Sequence, residues 1–195
     1  MDRAKRRATY EDLRQVPDSQ VAEILDGELV VSPRPASPHA FAASVMGSDL
    51  LGPFHRSPGD PGGPGGWWII LEPELHLGDD VLVPDWAGWR RDHMPVFPTT
   101  AAFTQAPDWA GEVVSPATSR TDRGRKMRVY AREAVGHLWL LDPLAQTLEV
   151  YRLEGGRWVV VGSHAGDDLV RAEPFEAAPL ALARWWIPEG PPALP

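Results

Sequence analysis

The stretch Pro107–Tyr130, PDWAGEVVSPATSRTDRGRKMRVY, decides how this chain is read. Trp109 to Val114 is a short apolar run broken by Ser115-Pro116, which predicts a buried strand followed by a turn. Thr118, Ser119 and Thr121 each suit a helix N-cap, and Met127, Tyr130, Ala131 and Ala134 then recur on one helical face. Gly124 weakens the first turn. The strand carries one carboxylate, Glu112. An unpaired carboxylate is expensive to bury, so Glu112 calls for a cation, a metal or water at a strand end. Lys126, four residues before Tyr130, borders the packed face and can reach back over that strand. A satisfied salt bridge is the plainer account of the pair.

Lysine usage adds weight to Lys126. Of the 19 Lys and Arg residues only Lys5 and Lys126 are lysine, and Lys5 sits in a basic N-terminal arm. A compact, rotatable ammonium is a donor that arginine cannot imitate, so one retained lysine points to function.

Working outward, Val81 to Trp89 reads as a strand interrupted at Pro84, immediately before Asp85. An acidic side chain can be aimed into a cleft from such an irregularity; a turn or cap role is the alternative. Trp67 to Leu77 is its strand partner across Gly78-Asp79-Asp80. Upstream, Thr9 to Val16 reads as a short helix with Thr9 as N-cap and Asp12 completing a capping box. Asp26-Gly27 between two apolar runs marks a hairpin over Val21 to Val31, with Glu23 and Glu28 flanking the turn; solvent exposure is the ordinary fate of such carboxylates. Pro38 to Leu51 reads as a helix with Phe41, Val45 and Leu51 inward, and His39 near its start as a cap or surface residue.

Residues 53–66 form a Gly/Pro loop expected to be mobile. It is not a phosphate-binding loop, because it lacks a Gly-Lys-Ser/Thr ending and precedes a strand. Residues 90–106 read as irregular. Downstream, His137 to Leu141, Leu148 to Leu153 and Trp158 to Val161 read as a meander, and Pro179 to Trp186 as a short helix. Trp185 and Trp186 would form an interaction surface if exposed, although core packing is commoner.

The 195 residues fit one ordinary domain, read as a basic arm over 1–8, a single domain over 9–187 and a disordered tail over 188–195. The absence of cysteine excludes disulfides, thiolate zinc sites and cysteine nucleophiles. The six histidines are scattered without HExxH spacing, which argues against a zinc hydrolase. No apolar run is long enough to span a membrane and no signal-peptide core follows residue 13, so a cytoplasmic location is expected. A net charge of -8 argues against a broad electrostatic grip on nucleic acid. Arg120, Arg123, Arg125, Arg128 and Arg132 nonetheless cluster around Lys126, either as a solvated face or as phosphate contacts.

An aspartate and a glutamate on neighbouring strands with a lysine on the following helix suit metal-assisted phosphodiester hydrolysis: two hard carboxylates for Mg²⁺ and an ammonium to hold water. The runs VAEILDGELVVSP, VLVPDW, PDWAGEVVSPATSRTDRGRKMRVYA and HLWLLDPLAQTLEVYRL resemble the Uma-two family of nucleases, from about Thr9 to Trp186. The resemblance implies an α/β (α+β) restriction endonuclease-like core of the PD-(D/E)xK superfamily, a mixed sheet flanked by helices, with the N-terminal hairpin and C-terminal meander attached. It further implies that Asp85 and Glu112 bind Mg²⁺ or Mn²⁺ with the main-chain carbonyl of Val113. Lys126 is then the motif lysine moved from strand to helix, Val114 occupying its usual place, and Glu23 is an assisting acid. DNA is the implied substrate, and a homodimer the implied assembly. The competing reading is a catalytically silent module of the same fold that presents Trp185-Trp186 or the arginine face to a partner.

Overall fold

The computed structural model describes residues 6–188, so residues 1–5 of the basic arm and 189–195 of the tail lie outside the described residues. A six-stranded sheet forms the centre, in the order Arg157–Ala165, Thr147–Glu154, His137–Asp142, Trp109–Val113, Trp86–Arg90, Trp67–Leu71; beside it lie a four-stranded sheet, in the order Glu28–Pro33, Gln20–Leu25, Asp80–Leu82, Leu75–Leu77, and a small pair, Leu169–Val170 with Leu180–Ala181.

The chain enters through helix α1 (Tyr10–Arg14), capped by Thr9 in a capping box with Asp12 as the spacing predicts. Strands β1 (Gln20–Leu25) and β2 (Glu28–Pro33) make the expected hairpin. Asp26 and Gly27 both have positive φ, as a two-residue primed turn requires. Helix α2 (Ser37–Phe54) forms as predicted, but its inward face is set differently. Ala42, Ala43, Met46, Gly47, Leu50 and Phe54 are buried, whereas Leu51 is exposed and Phe41 and Val45 are only partly covered. Ala43 and Gly47 mark where the helix lies almost on the sheet. A Cβ at Gly47 would stand 2.0 Å from the Trp86 ring, whose indole N–H donates to the Ala43 carbonyl.

Each of the two long runs after the Gly/Pro loop divides at a proline. Strand β3 (Trp67–Leu71) pairs with β6 (Trp86–Arg90) in the large sheet, while β4 (Leu75–Leu77) pairs with β5 (Asp80–Leu82) in the small one. Pro73 and Pro84 sit in the crossings between sheets, where the ladder has to break. The Gly/Pro loop folds back on α2, with Gly65 N–H and Gly66 N–H on the carbonyls of Pro53 and Arg56.

Strand β7 (Trp109–Val113) is buried along its whole length and runs parallel to β8 (His137–Asp142), the two joined by a helix over 119–132. That helix begins at Ser119, widens to a π-turn at Asp122–Lys126 and continues as α-helix over Met127–Arg132. Its buried residues are Asp122, Lys126, Val129 and Tyr130, so Lys126 lies on the packed face and does not merely border it. Ala134 falls beyond the helix at positive φ.

The meander follows as β9 (Thr147–Glu154) and β10 (Arg157–Ala165). Strands β11 (Leu169–Val170) and β12 (Leu180–Ala181) come next. The predicted helix over 179–186 is instead β12 and a single 3-10 turn, Leu182–Trp185. Trp185 and Trp186 are buried in the α2 core and form no exposed surface. No helix among the described residues is long and apolar enough to cross a membrane.

The large sheet therefore has two covered faces. Alternation along β7 sends Trp109 and Val113 to the α2 side, and Ala110 and Glu112 to the side of the hairpin and the 119–132 helix.

Candidate active site

Glu112 meets Lys126 on that second side: Nζ lies 3.0 Å from Oε2. The same ammonium lies 3.0 Å from Glu23 Oε1 and 3.7 Å from Asp122 Oδ1, and donates to the Val83 carbonyl at 3.4 Å. All four charged side chains are buried, none more than 5 % exposed. Tyr130 donates its hydroxyl to Glu112 Oε1 at 2.5 Å, and the Val83 N–H donates to Glu23 Oε1 at 2.8 Å.

Asp85 lies in the bend between β5 and β6, not inside a strand. It is held on three sides: its carboxylate accepts the Val113 N–H at 2.7 Å, His39 Nε2 stands 3.2 Å from its other oxygen, and its carbonyl accepts the Glu72 N–H. Val113 thus joins the two acids, since its N–H binds Asp85 and it follows Glu112 directly. Asp85, Glu112, Val113, Lys126 and Glu23 all line one cavity of about 660 Å³, whose wall is completed by α1, the end of β2, His39 and residues 115–118.

The charges are unbalanced. Glu23, Glu112 and Asp122 face the Lys126 ammonium, and Asp85 stands beside them against His39. Burial works to lower the Lys126 pKa, but Glu112 and Glu23, then Tyr130 and Asp122, raise it well above its ordinary value, so it stays an ammonium. Burial drives Glu112 up; Lys126 opposes this, and the neighbouring acids reinforce it. Asp122 is raised by burial, again against Lys126. Burial also acts to lower His39, yet the hydrogen bond and charge of Asp85, with Asp122 and Glu72 behind, carry it above its ordinary value.

Such a site has oxygen donors in excess. Asp85, Glu112 and the Val113 carbonyl are hard ligands of the kind Mg²⁺ accepts, and Mg²⁺ takes few protein ligands and keeps its waters. Among the described residues no group of three or more His, Asp or Glu side chains is placed to hold a metal. A buried carboxylate oxygen without a partner, Asp122 Oδ2, is a further sign of unmet negative charge, and the donor chemistry fits a divalent cation.

Three neighbours went unread in the sequence as members of this cluster. His39 is buried against Asp85, Asp122 stands four residues before Lys126, and Tyr130 caps Glu112 with its hydroxyl. The signal for Asp122 and Tyr130 was the four-residue spacing on either side of Lys126. Nothing local distinguishes His39.

The arginine cluster does not form a free phosphate-binding face. Arg123 pairs with Glu149, Arg125 with Glu28 at 2.7 Å, Arg128 with Asp26, and Arg132 with Asp26 and Asp80. These pairs tie the helix to the hairpin turn and to neighbouring strands. Arg120 is exposed and forms no ion pair among the described residues.

A family model, Uma2, described as "Putative restriction endonuclease", matches residues 7–183. No curated protein matches the chain. Among solved structures, the chain is similar to a protein from Anabaena variabilis ATCC 29413 described as a putative nuclease belonging to DUF820. Identity is 24 %, with 91 % of this chain and 98 % of that one covered, at a TM-score of 0.72. That likeness extends to the fold: a central mixed sheet flanked by helices, in keeping with restriction-endonuclease-like architecture. With nearly the whole described chain under the family match, the protein belongs to the Uma2 family.

Proposed function

We propose that this protein is a metal-dependent endonuclease that hydrolyses phosphodiester bonds in DNA. The observation that carries the reading is the convergence of Asp85, Glu112, Glu23 and Lys126 on one cavity, with Lys126 3.0 Å from each glutamate. Asp85, Glu112 and the Val113 carbonyl would hold Mg²⁺ or Mn²⁺. When bound, the cation supplies charge stabilisation for the phosphate and a lowered pKa for its water. Lys126 orients the attacking water with an N–H of its ammonium, which has three donors to distribute. Glu23 holds that ammonium in place, Tyr130 fixes the Glu112 carboxylate, and His39 with the Val113 N–H fixes Asp85.

The acidic cavity also favours a cation mediating the approach of phosphate. Around it, Arg14 and Arg34 line the wall, and Arg120 is close in sequence to the residue 115–118 margin. Cutting both strands of a duplex calls for two such sites, and the proposal extends to a homodimer in a cytoplasmic setting.

Melting curves of the wild type and Asp85→Ala, each in EDTA and in millimolar Mg²⁺ or Mn²⁺, test the reading. Metal should raise the wild-type melting temperature, by up to about 2.7 kcal/mol of added stability at a hundredfold excess over Kd. The rise should vanish in Asp85→Ala, and the wild type should cleave DNA only with metal present. A wild-type curve that neither metal moves removes the proposal.

A further inference from the structure

Asp122 is 2 % exposed, and its Oδ2 has no hydrogen-bond partner. Its Oδ1 lies 3.7 Å from Lys126 Nζ, beyond hydrogen-bond range. Thr118 gives the carboxylate one side-chain hydrogen bond, which an amide would keep without burying a charge. An unsatisfied buried group of this kind calls for an explanation, and the π-turn that carries it adds a second. The Met127 N–H reaches back to the Asp122 carbonyl, and π-turns inside helices are frequent at functional sites. This turn begins at Asp122 and ends at Lys126, so it bounds both residues on the buried face.

Lys126 distributes its donors over Glu23, Glu112 and, at longer range, the Val83 carbonyl. A divalent cation on Glu112 would compete with the ammonium for the same carboxylate and repel it at close range. The ammonium then needs another acceptor within reach of a small rotation of its side chain. We propose that Asp122 is that acceptor, a positioning residue that holds Lys126 beside the reacting water when Glu112 is shared with a cation. The inference rests on the metal-dependent reading above. Asp122 acts through Lys126 and is not itself a ligand.

The lysine count provides a direct probe. In a Lys5→Arg background Lys126 is the only lysine, so ¹⁵N-lysine labelling gives one side-chain ammonium resonance, observable when exchange with water is slow. The background protein and its Asp122→Asn variant are compared at low temperature with and without Mg²⁺. Expected is a Lys126 resonance that shifts with Mg²⁺ but stays visible in the background, and broadens into exchange with Mg²⁺ in Asp122→Asn. On a DNA substrate the variant should lose at least about tenfold in kcat with KM unchanged, as for an interaction made in the transition state. Its melting temperature should be no lower than the background's. Asp122→Ala repeats the test without an amide in the pocket. If the background responds to Mg²⁺ and both variants behave identically to it, the role of Asp122 is overturned while the metal site stands. If Mg²⁺ alters neither the resonance nor the melting curve of the background, the metal-dependent reading fails and this inference with it.

Discussion

Strand β7 presents Trp109 and Val113 to one face of the sheet and Glu112 to the other, and the two faces are built on different physics. On the α2 side Trp109, Trp139 and Phe175 meet edge to face, with ring centroids 5.0 to 5.5 Å apart. Most of the polar handles there are satisfied: the indole N–H groups of Trp86, Trp139 and Trp186 donate to main-chain carbonyls and that of Trp185 to Asp49, while that of Trp109 has no partner among the described residues. The opposite face gathers three carboxylates around one ammonium and leaves an oxygen of Asp122 unmatched. Burial of apolar surface on the first side supplies the stability that lets the second side hold charges in an arrangement unfavourable to folding.

The largest effect expected from this contrast is at Trp139. Trp139→Ala removes a fully buried indole from the aromatic cluster and should lower stability by about 3–5 kcal/mol, read by denaturant unfolding. The increment in stability from Mg²⁺ should survive in the variant, because Trp139 faces away from the cavity. Loss of that increment would mean that the faces are coupled and that the contrast is false.

Lys126→Ala should come next. The substitution leaves Glu23, Glu112 and Asp122 buried without their cation, at a cost on the order of 3 kcal/mol near neutral pH. Protons can take the ammonium's place, so the deficit should shrink as pH falls toward the carboxylate range. Thermal melts of the variant at pH 5 and pH 8 measure this, and an equal deficit at both values would show that the lysine acts through packing alone. A fall in activity of this variant therefore has to be read beside its stability, since Lys126 also holds the site together.

Much of this arrangement was legible in the sequence because it follows from local rules. Asp26-Gly27 admits one tight turn, Thr9 and Asp12 define a helix start, and an acid inside an apolar strand has to find a partner. Long-range facts were not. The periodicity of α2 placed Phe41, Val45 and Leu51 inward, because apolar spacing cannot reveal that the Trp86 ring lies against Gly47 and so turns the Ala43–Gly47 side to the sheet. Glu23 in a hairpin looked solvent-bound on local grounds, and only the family resemblance singled it out. Its burial depends on the 119–132 helix crossing beside it. His39 reads as a helix-start residue until Asp85, far along the chain, is brought to 3.2 Å. The arginines show the converse. Their number suggested a phosphate surface, but Asp26, Glu28, Asp80 and Glu149 had no visible claim on them in sequence.

The smallest expected effect, and the sharpest on the charged face, is the pH dependence of Asp122→Asn without metal. Burial, opposed by Lys126, raises the Asp122 carboxyl above its ordinary value in the folded protein. A group raised on folding stabilises the native state most below its unfolded value, near pH 4, and that contribution is lost as pH rises through the folded value. Asparagine does not titrate. The variant and the wild type should therefore be close in stability near pH 4, and the variant should gain on the wild type toward pH 8, by on the order of 1 kcal/mol. Thermal melts in EDTA across that range decide the matter. A variant less stable than the wild type at every pH would make Asp122 a structural anchor, and the charged face would then be as well matched as the aromatic one.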